Sequence, residues 1–322
     1  MKIAILDDYQ DAVKNLACFD SLRGHEVKVL TQSYSDPQQL AAKLQGVEGL
    51  VLIRERTEIS EALLRLLPSL RVISQTGKVS AHIDVALCER YGVRVLEGVG
   101  SPVAPAELCW ALIMAASRYI PQYYSALQNG QWQQNGGLGL GRSLNGRTLG
   151  IWGYGKIGQR IAGFGRAFGM QVQIWGSEAS RQQAQDDGYL AAQTRSAFFA
   201  TSDVLSLHLR LNDVTRSIVT AEDLAQMKSD SLFVNISRAE LVEPGALYQE
   251  LLANPSKQAA LDVYEQEPTD SANQPLLSLA NVTALPHLGY VEQNSYQLYF
   301  KAALDNLLAF IAGESGGDSI SG

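Results

Sequence analysis

The sequence predicts an α/β protein of two domains, each built on a parallel sheet. Three observations carry that prediction. Short apolar runs alternate with amphipathic stretches almost from end to end, the signature of parallel βαβ layers. The chain has 322 residues, too many for one comfortable core. A second series of runs begins in mid-chain and opens with its own glycine-rich turn.

Taken in order, the strand candidates of the first third are "KIAIL", "EVKVL", "GLVLI", "RVISQ" and "VRVLE". Between them a helix is predicted over 37–44, with Asp36 placed to cap it and Pro37 in its first turn. Another is predicted over 60–67, where Leu63, Leu64, Leu66 and Leu67 make an apolar face and Pro68 ends it. A long helix rich in Ala, Leu and Ile follows over 104–119. The stretch "QNGQWQQNGGLGLGRSLNG" has no periodicity and reads as an exposed connection or arm rather than a domain boundary. The second series runs through "RTLGIWG", "MQVQIWG", "DVLSLHL", "SLFVNIS", "QAALDVY" and "NVTALPH". A last helix, "NSYQLYFKAALDNLLAFIAG", precedes a Gly/Ser tail expected to be disordered.

Bulk composition excludes several function classes. Hydrophobic content of 46% and charged content of 18% describe an ordinary globular chain. A net charge of −7 with no basic run argues against nucleic-acid binding. No stretch approaches the roughly 20 apolar residues that span a bilayer, so no membrane association is expected. "MKIAILDDYQ" puts acids directly after a short apolar run and is no signal peptide. Cys18, Cys88 and Cys109 are an odd, widely spaced set in helix-like patterns, read as reduced packing residues of a cytoplasmic protein. No Cys/His cluster has metal spacing, and no metal is expected.

"LGIWGYGKIGQRIAGFG" places Gly153, Gly155 and Gly158 in the spacing G-x-G-x-x-G, after a strand pattern and at the mouth of a helix. That context makes it a dinucleotide-binding fingerprint of the Rossmann type. Gly153 permits the tight turn, Gly155 lets a pyrophosphate approach the backbone, and Gly158 lets helix and strand pack closely. Tyr154, Lys156 and Ile157 complete the turn, and the helix N-terminus offers its free N–H groups to phosphate. The ribose-binding acid expected about 20 residues on is absent from its usual place, where Gly176 stands. Ser177 and Glu178 follow, then Arg181. Glu178 favours NAD, whereas Arg181 is what the extra phosphate of NADP would want. The reading leans to NAD without excluding NADP.

Three later strands each end in chemistry. Arg238 in "NISRAELVEPGAL" lies just past a strand, where ligands of open α/β sheets bind. Its planar fork suits a carboxylate, although a surface ion pair is the competing reading. Glu265 and Glu267 stand before Pro268 in "LDVYEQEP", and His287 lies in "TALPHLGY". Strand ends converge on one crevice, and a carboxylate beside a histidine would orient the ring and stabilise its charged form as a proton donor. His208 ends another strand and either lines this crevice or packs. His25 reads as a surface turn residue, and His82 as the opening of a helix.

The ordered set of glycine turn, "NISRAELVEPGAL", "LDVYEQEP" and "PHLGY" resembles the D-isomer-specific 2-hydroxyacid dehydrogenase family over nearly the whole chain. The resemblance implies two Rossmann-like or flavodoxin-like domains, the dinucleotide-binding one inserted in the other. The discontinuous substrate domain would comprise 1–102 and 289–322, and the dinucleotide domain 103–288. It implies that Arg238 binds the substrate's carboxylate and carbonyl and that His287 exchanges the proton at the C2 oxygen. Glu267, rather than Glu265, would pair with His287. Asp262, the backbone of Ile236 and Gly289 would hold the nicotinamide side of the cofactor. A homodimer is implied in the same way.

Two departures bear on the substrate. In "QTGKVSAHIDV" the family's second loop glycine is replaced by Val79, and Lys78 precedes it. Lys78, Val79 and the nearby Arg54 are candidate substrate contacts, with a solvent-facing lysine as the alternative. Arg210 stands where the family has proline. The expected activity is NAD(P)-dependent interconversion of a small 2-oxo acid and a D-2-hydroxy acid. The rivals are a dinucleotide-sensing corepressor, which shares the fold, and a phosphite-type dehydrogenase. Turnover of any 2-oxo acid separates these.

Overall fold

Every paired strand in the computed structural model, which describes residues 1–313, runs parallel to its neighbours. The chain divides into two units, Met1–Ser101 with the segment from Val291 onward, and Pro102–Tyr290 between them. The Gly/Ser tail expected to be disordered lies outside the described residues.

The first unit holds β1 (Lys2–Ile5), β2 (Glu26–Val29), β3 (Gly49–Leu52), β4 (Val72–Gln75) and β5 (Arg94–Leu96), in the order β2-β1-β3-β4-β5. β3 and β4 are buried along their whole length, which is why they read as unbroken apolar runs rather than as alternation. Three short helices connect them: α1 (Pro37–Lys43), α2 (Glu61–Leu66) and α3 (Val85–Arg90). Each is started by a side chain that accepts an otherwise unpaired N–H: Asp36 from Gln38, Ser60 from Leu63, Asp84 from Leu87. His82 therefore does not open α3. It lies in the preceding turn, with Nε2 3.0 Å from the Gln75 amide nitrogen.

The second unit begins with α4 (Val103–Ser117) and α5 (Ile120–Gln128). The single helix expected over 104–119 thus ends early. Tyr119 turns into the left-handed region, φ 52°, and Pro121 in the first turn of α5 fixes a new start. Residues 129–147 are irregular, with Trp132 75% and Leu140 93% exposed, an arm within this unit as the composition predicted. Its buried Asn135 braces it by donating to the Gly139 carbonyl and accepting the Leu138 N–H.

Seven strands follow: β6 (Thr148–Trp152), β7 (Gln171–Trp175), β8 (Leu190–Ala191), β9 (Val204–Leu207), β10 (Leu232–Asn235), β11 (Gln258–Leu261) and β12 (Val282–Ala284). Their order is β12-β11-β10-β9-β6-β7-β8, with the direction of travel reversing between β6 and β9. The helices are α6 (Lys156–Ala167), α7 (Glu178–Asp186), α8 (Arg195–Thr201), α9 (Ala221–Gln226) and α10 (Ala246–Ala253). Cores form on both faces of the sheet, one around α4 and α6 and the other around Phe198, Phe199 and Phe233. The last helix, α11 (Gln293–Ile311), belongs to the first unit, where Ser74 of β4 donates to the Ala303 carbonyl at 2.7 Å.

Candidate active site

The glycine turn sits where the second sheet reverses, the place at which open α/β sheets take their ligands. Gly153 has φ 101°, and a Cβ there would meet the His208 carbonyl oxygen at 2.5 Å. One on Gly158 would meet the Gly153 carbonyl at 2.2 Å, so both glycines are forced by close approach. Gly155 differs, because a Cβ there would touch nothing within 4 Å. It caps α6 with no side chain of its own and leaves the helix N-terminus open. A tight turn with one uncovered position fits a pyrophosphate. Ile157 packs into the core, and Lys156 is exposed. The Tyr154 side chain is buried, its hydroxyl donating to Asp187 at 2.8 Å, which leaves only its backbone at the turn.

Past β7, the Ser177 hydroxyl caps α7 by accepting the Ser180 N–H, and Glu178 is the first helical residue. The Arg181 guanidinium lies 5.0 Å from the Trp175 ring centroid, with its Nε buried and without a hydrogen-bond partner. At the end of β9, His208 Nε2 is 2.9 Å from the Ser206 hydroxyl, while Nδ1 is buried with no partner. Burial pushes its pKa down to about 4, so the ring is neutral at physiological pH. Arg210 is exposed.

The three chemical residues stand on successive strand ends of this unit. Past β10, Asn235 shapes the turn by accepting the Ser237 N–H and donating to the Arg238 carbonyl at 2.8 Å. Ile236 is buried beside it, and Arg238 is half-buried. Past β11, the Glu267 carboxylate accepts the Tyr264 N–H through Oε1 at 2.9 Å and meets His287 Nδ1 through Oε2 at 2.6 Å. Glu265 instead accepts from the Gln274 amide. With Glu267 on Nδ1, the exchangeable proton falls on His287 Nε2. Past β12, His287 adopts φ 53°, a left-handed conformation costly for most residues.

Asp262 holds that conformation. Its two carboxylate oxygens accept the N–H groups of Leu288 at 2.7 Å and Gly289 at 2.8 Å, the two residues after His287. The side chain is fully buried, and desolvation raises its pKa to about 6 against the lowering effect of those N–H groups. Nothing in the sequence signals this bracing, because it joins the ends of two strands.

In the first unit, Arg54 follows β3 with φ 55°. Its guanidinium lies on Gly77, where a Cβ would meet Nη1 at 1.9 Å. Lys78 and Val79 come next, and Glu97, which sequence reasoning passed over, engages both. Its only visible signal is a lone acid closing the strand pattern "VRVLE".

The sequence model for the NAD-binding domain of D-isomer-specific 2-hydroxyacid dehydrogenases matches residues 110–289. A glyoxylate reductase of Aeropyrum pernix is 33% identical over 90% of this chain and 88% of its own. A D-3-phosphoglycerate dehydrogenase of Methanocaldococcus jannaschii is 32% identical over 90% of this chain, which spans only 53% of that longer relative. The crystal structure of a phosphoglycerate oxidoreductase from Vibrio cholerae superposes with a TM-score of 0.96 at 65% identity, covering 97% of this chain and 99% of that one.

Proposed function

Because this chain belongs to the D-isomer-specific 2-hydroxyacid dehydrogenase family, we propose that it interconverts a small 2-oxo acid and the corresponding D-2-hydroxy acid with NAD. The observation that carries this reading is the 2.6 Å contact between Glu267 and His287 in the unit that bears the glycine turn and Arg238. Bound NADH supplies the hydride that the C2 carbon receives. His287 gives the proton from Nε2 to the C2 oxygen, and Glu267 keeps the ring in the tautomer that allows it. Arg238 binds the substrate carboxylate and stabilises charge developing on the oxygen.

The cofactor is assigned to the turn from Gly153 to Gly158, with Ser177 and Glu178 toward the ribose. His208, Ile236, Asp262 and Gly289 line the nicotinamide side. Two features favour NAD over NADP. Glu178 places a negative charge where the extra phosphate would go, and the Ser177 hydroxyl is already engaged in capping α7. The substrate domain is assigned to the first unit, with Arg54, Lys78 and Val79 as its contacts. The assembly proposed is a homodimer, which would show about twice the 35.0 kDa chain mass in light scattering.

A panel of 2-oxo acids assayed with NADH and NADPH in parallel tests all of this. The expected result is turnover of at least one small 2-oxo acid, NADH preferred, with a D-configured product. Binding of NADH without turnover of any 2-oxo acid would turn the reading toward a sensor, and NAD⁺-dependent oxidation of phosphite toward a phosphite dehydrogenase.

A further inference from the structure

The loop after β4 holds a carboxylate from its own chain. Glu97 Oε1 accepts the Val79 N–H at 2.9 Å, and Oε2 pairs with Lys78 Nζ. An N–H and an ammonium converging on one carboxylate form the kind of charge-assisted site that any carboxylate can fill. The arrangement is built in. The Glu97 side chain is 23% exposed against 70% for Lys78, so the acid is the seated partner and the lysine the solvent-facing one. Asn306 of α11 donates to the Glu97 carbonyl at 3.0 Å. The next residue, Gly98, donates its N–H to the Gly77 carbonyl at 2.9 Å, and a Cβ on it would meet the Gln75 carbonyl at 2.3 Å. The end of β5 is thus fastened to the loop.

We propose that Glu97 sets the substrate affinity of this loop: it is an internal carboxylate that the carboxylate of a 2-oxo acid must displace from Val79 and Lys78. The proposal rests on the assignment of Lys78 and Val79 to the substrate. The single Val79 N–H serves one carboxylate at a time, and a second carboxylate brought to Lys78 is repelled by the Glu97 charge beside it. Glu97 is a positioning residue and touches no reacting atom. Its effect is that the loop is competent for only a fraction of the time, and apparent affinity falls by that fraction.

Glu97→Gln keeps an oxygen for the Val79 N–H and removes the charge that holds Lys78. KM for the best 2-oxo acid should fall about two- to fivefold, the range a part-exposed ion pair can withhold. kcat should stay within about twofold, with KM for NADH unchanged. Adding Lys78→Met to Glu97→Gln should abolish the gain, a coupling that a merely structural Glu97 would not produce. An unchanged or raised KM in Glu97→Gln, or a gain that survives Lys78→Met, overturns the proposal. The dissociation constant of oxamate, measured by calorimetry with NADH present, gives the same comparison without turnover. If no 2-oxo acid is reduced yet oxamate binds more tightly to Glu97→Gln, the activity assignment fails and this inference stands. If turnover is normal and oxamate affinity does not change, the reverse holds.

Discussion

His287 is held in a backbone conformation that costs about 1–2 kcal/mol for a residue with a Cβ, and two acids offset the cost from opposite sides. Asp262 fixes the backbone after it, and Glu267 fixes its ring. In its proposed role as proton donor, a residue so constrained should matter to chemistry and not to cofactor binding. His287→Gln is expected to lower kcat by about 10²–10⁴, with the NADH dissociation constant within about twofold by fluorescence titration. Arg238→Ala should lower kcat and raise KM together, as expected of a residue proposed for both binding and charge stabilisation. Wild-type turnover in His287→Gln between pH 6 and 8 would sink the assignment. The other strand-end histidine behaves differently. His208 resists protonation in the native state, while the unfolded ring takes a proton near pH 6.5. Its contribution to stability is therefore whole above about pH 6.5 and is lost as pH falls toward 4. Asp262 works in the opposite sense, its contribution lost as pH rises through about 6. His208→Asn should lessen the fall in thermal midpoint between pH 6.5 and 4.5, by on the order of 2 kcal/mol in stability. A profile parallel to wild type would mean that the ring titrates freely.

Among the elements, the turn from β6 into α6 separates folding from function within six residues. Gly158→Ala drives a methyl into the Gly153 carbonyl and should destabilise the protein by about 1–3 kcal/mol, seen as a lower thermal midpoint. Gly155→Ala meets only open space, so its midpoint should match wild type while NADH affinity drops on the order of tenfold. Equal destabilisation by both would mean that Gly155 serves packing, not a ligand. The sequence carried this turn clearly, because three glycines at fixed spacing between a strand and a helix have few other physical uses. The central strands β3, β4, β9 and β10 were as legible, each a run buried on both faces. Less was visible where a few residues decide. β8 is two residues long and, among the described residues, pairs with β7 alone, too short for any periodicity. The break between α4 and α5 combines the left-handed Tyr119 with Pro121 in the first turn of α5, and of the two only the proline is a signal visible in sequence. The engagement of Lys78 by Glu97 joins different strand ends, and the Arg54 guanidinium reaches Gly77 in the same way. Composition holds no trace of either.

For the molecule as a whole, the two units have separate cores and should report separately on damage. Leu307 of α11 is fully buried in the first unit. Leu307→Ala should cost that unit about 2–5 kcal/mol, while the unit carrying the glycine turn keeps its stabilisation by NADH. Calorimetry with and without NADH should then resolve two transitions, only the lower one moved by the mutation. A single transition shifted as a whole would mean that the units melt together.

The division of the first unit also has a consequence in time. Its sheet is complete at Leu96, but the helix that packs on β4 begins at Gln293, after the entire second unit has been made. During synthesis the second unit emerges contiguous and can fold before α11 exists, whereas the five-stranded sheet lacks the helix that packs on β4 until then. Connectivity thus lets the nucleotide-binding unit be completed before the first unit can be. In the cell, the vulnerable species is a nascent chain that ends short of α11, with one finished domain and one sheet still open to aggregation.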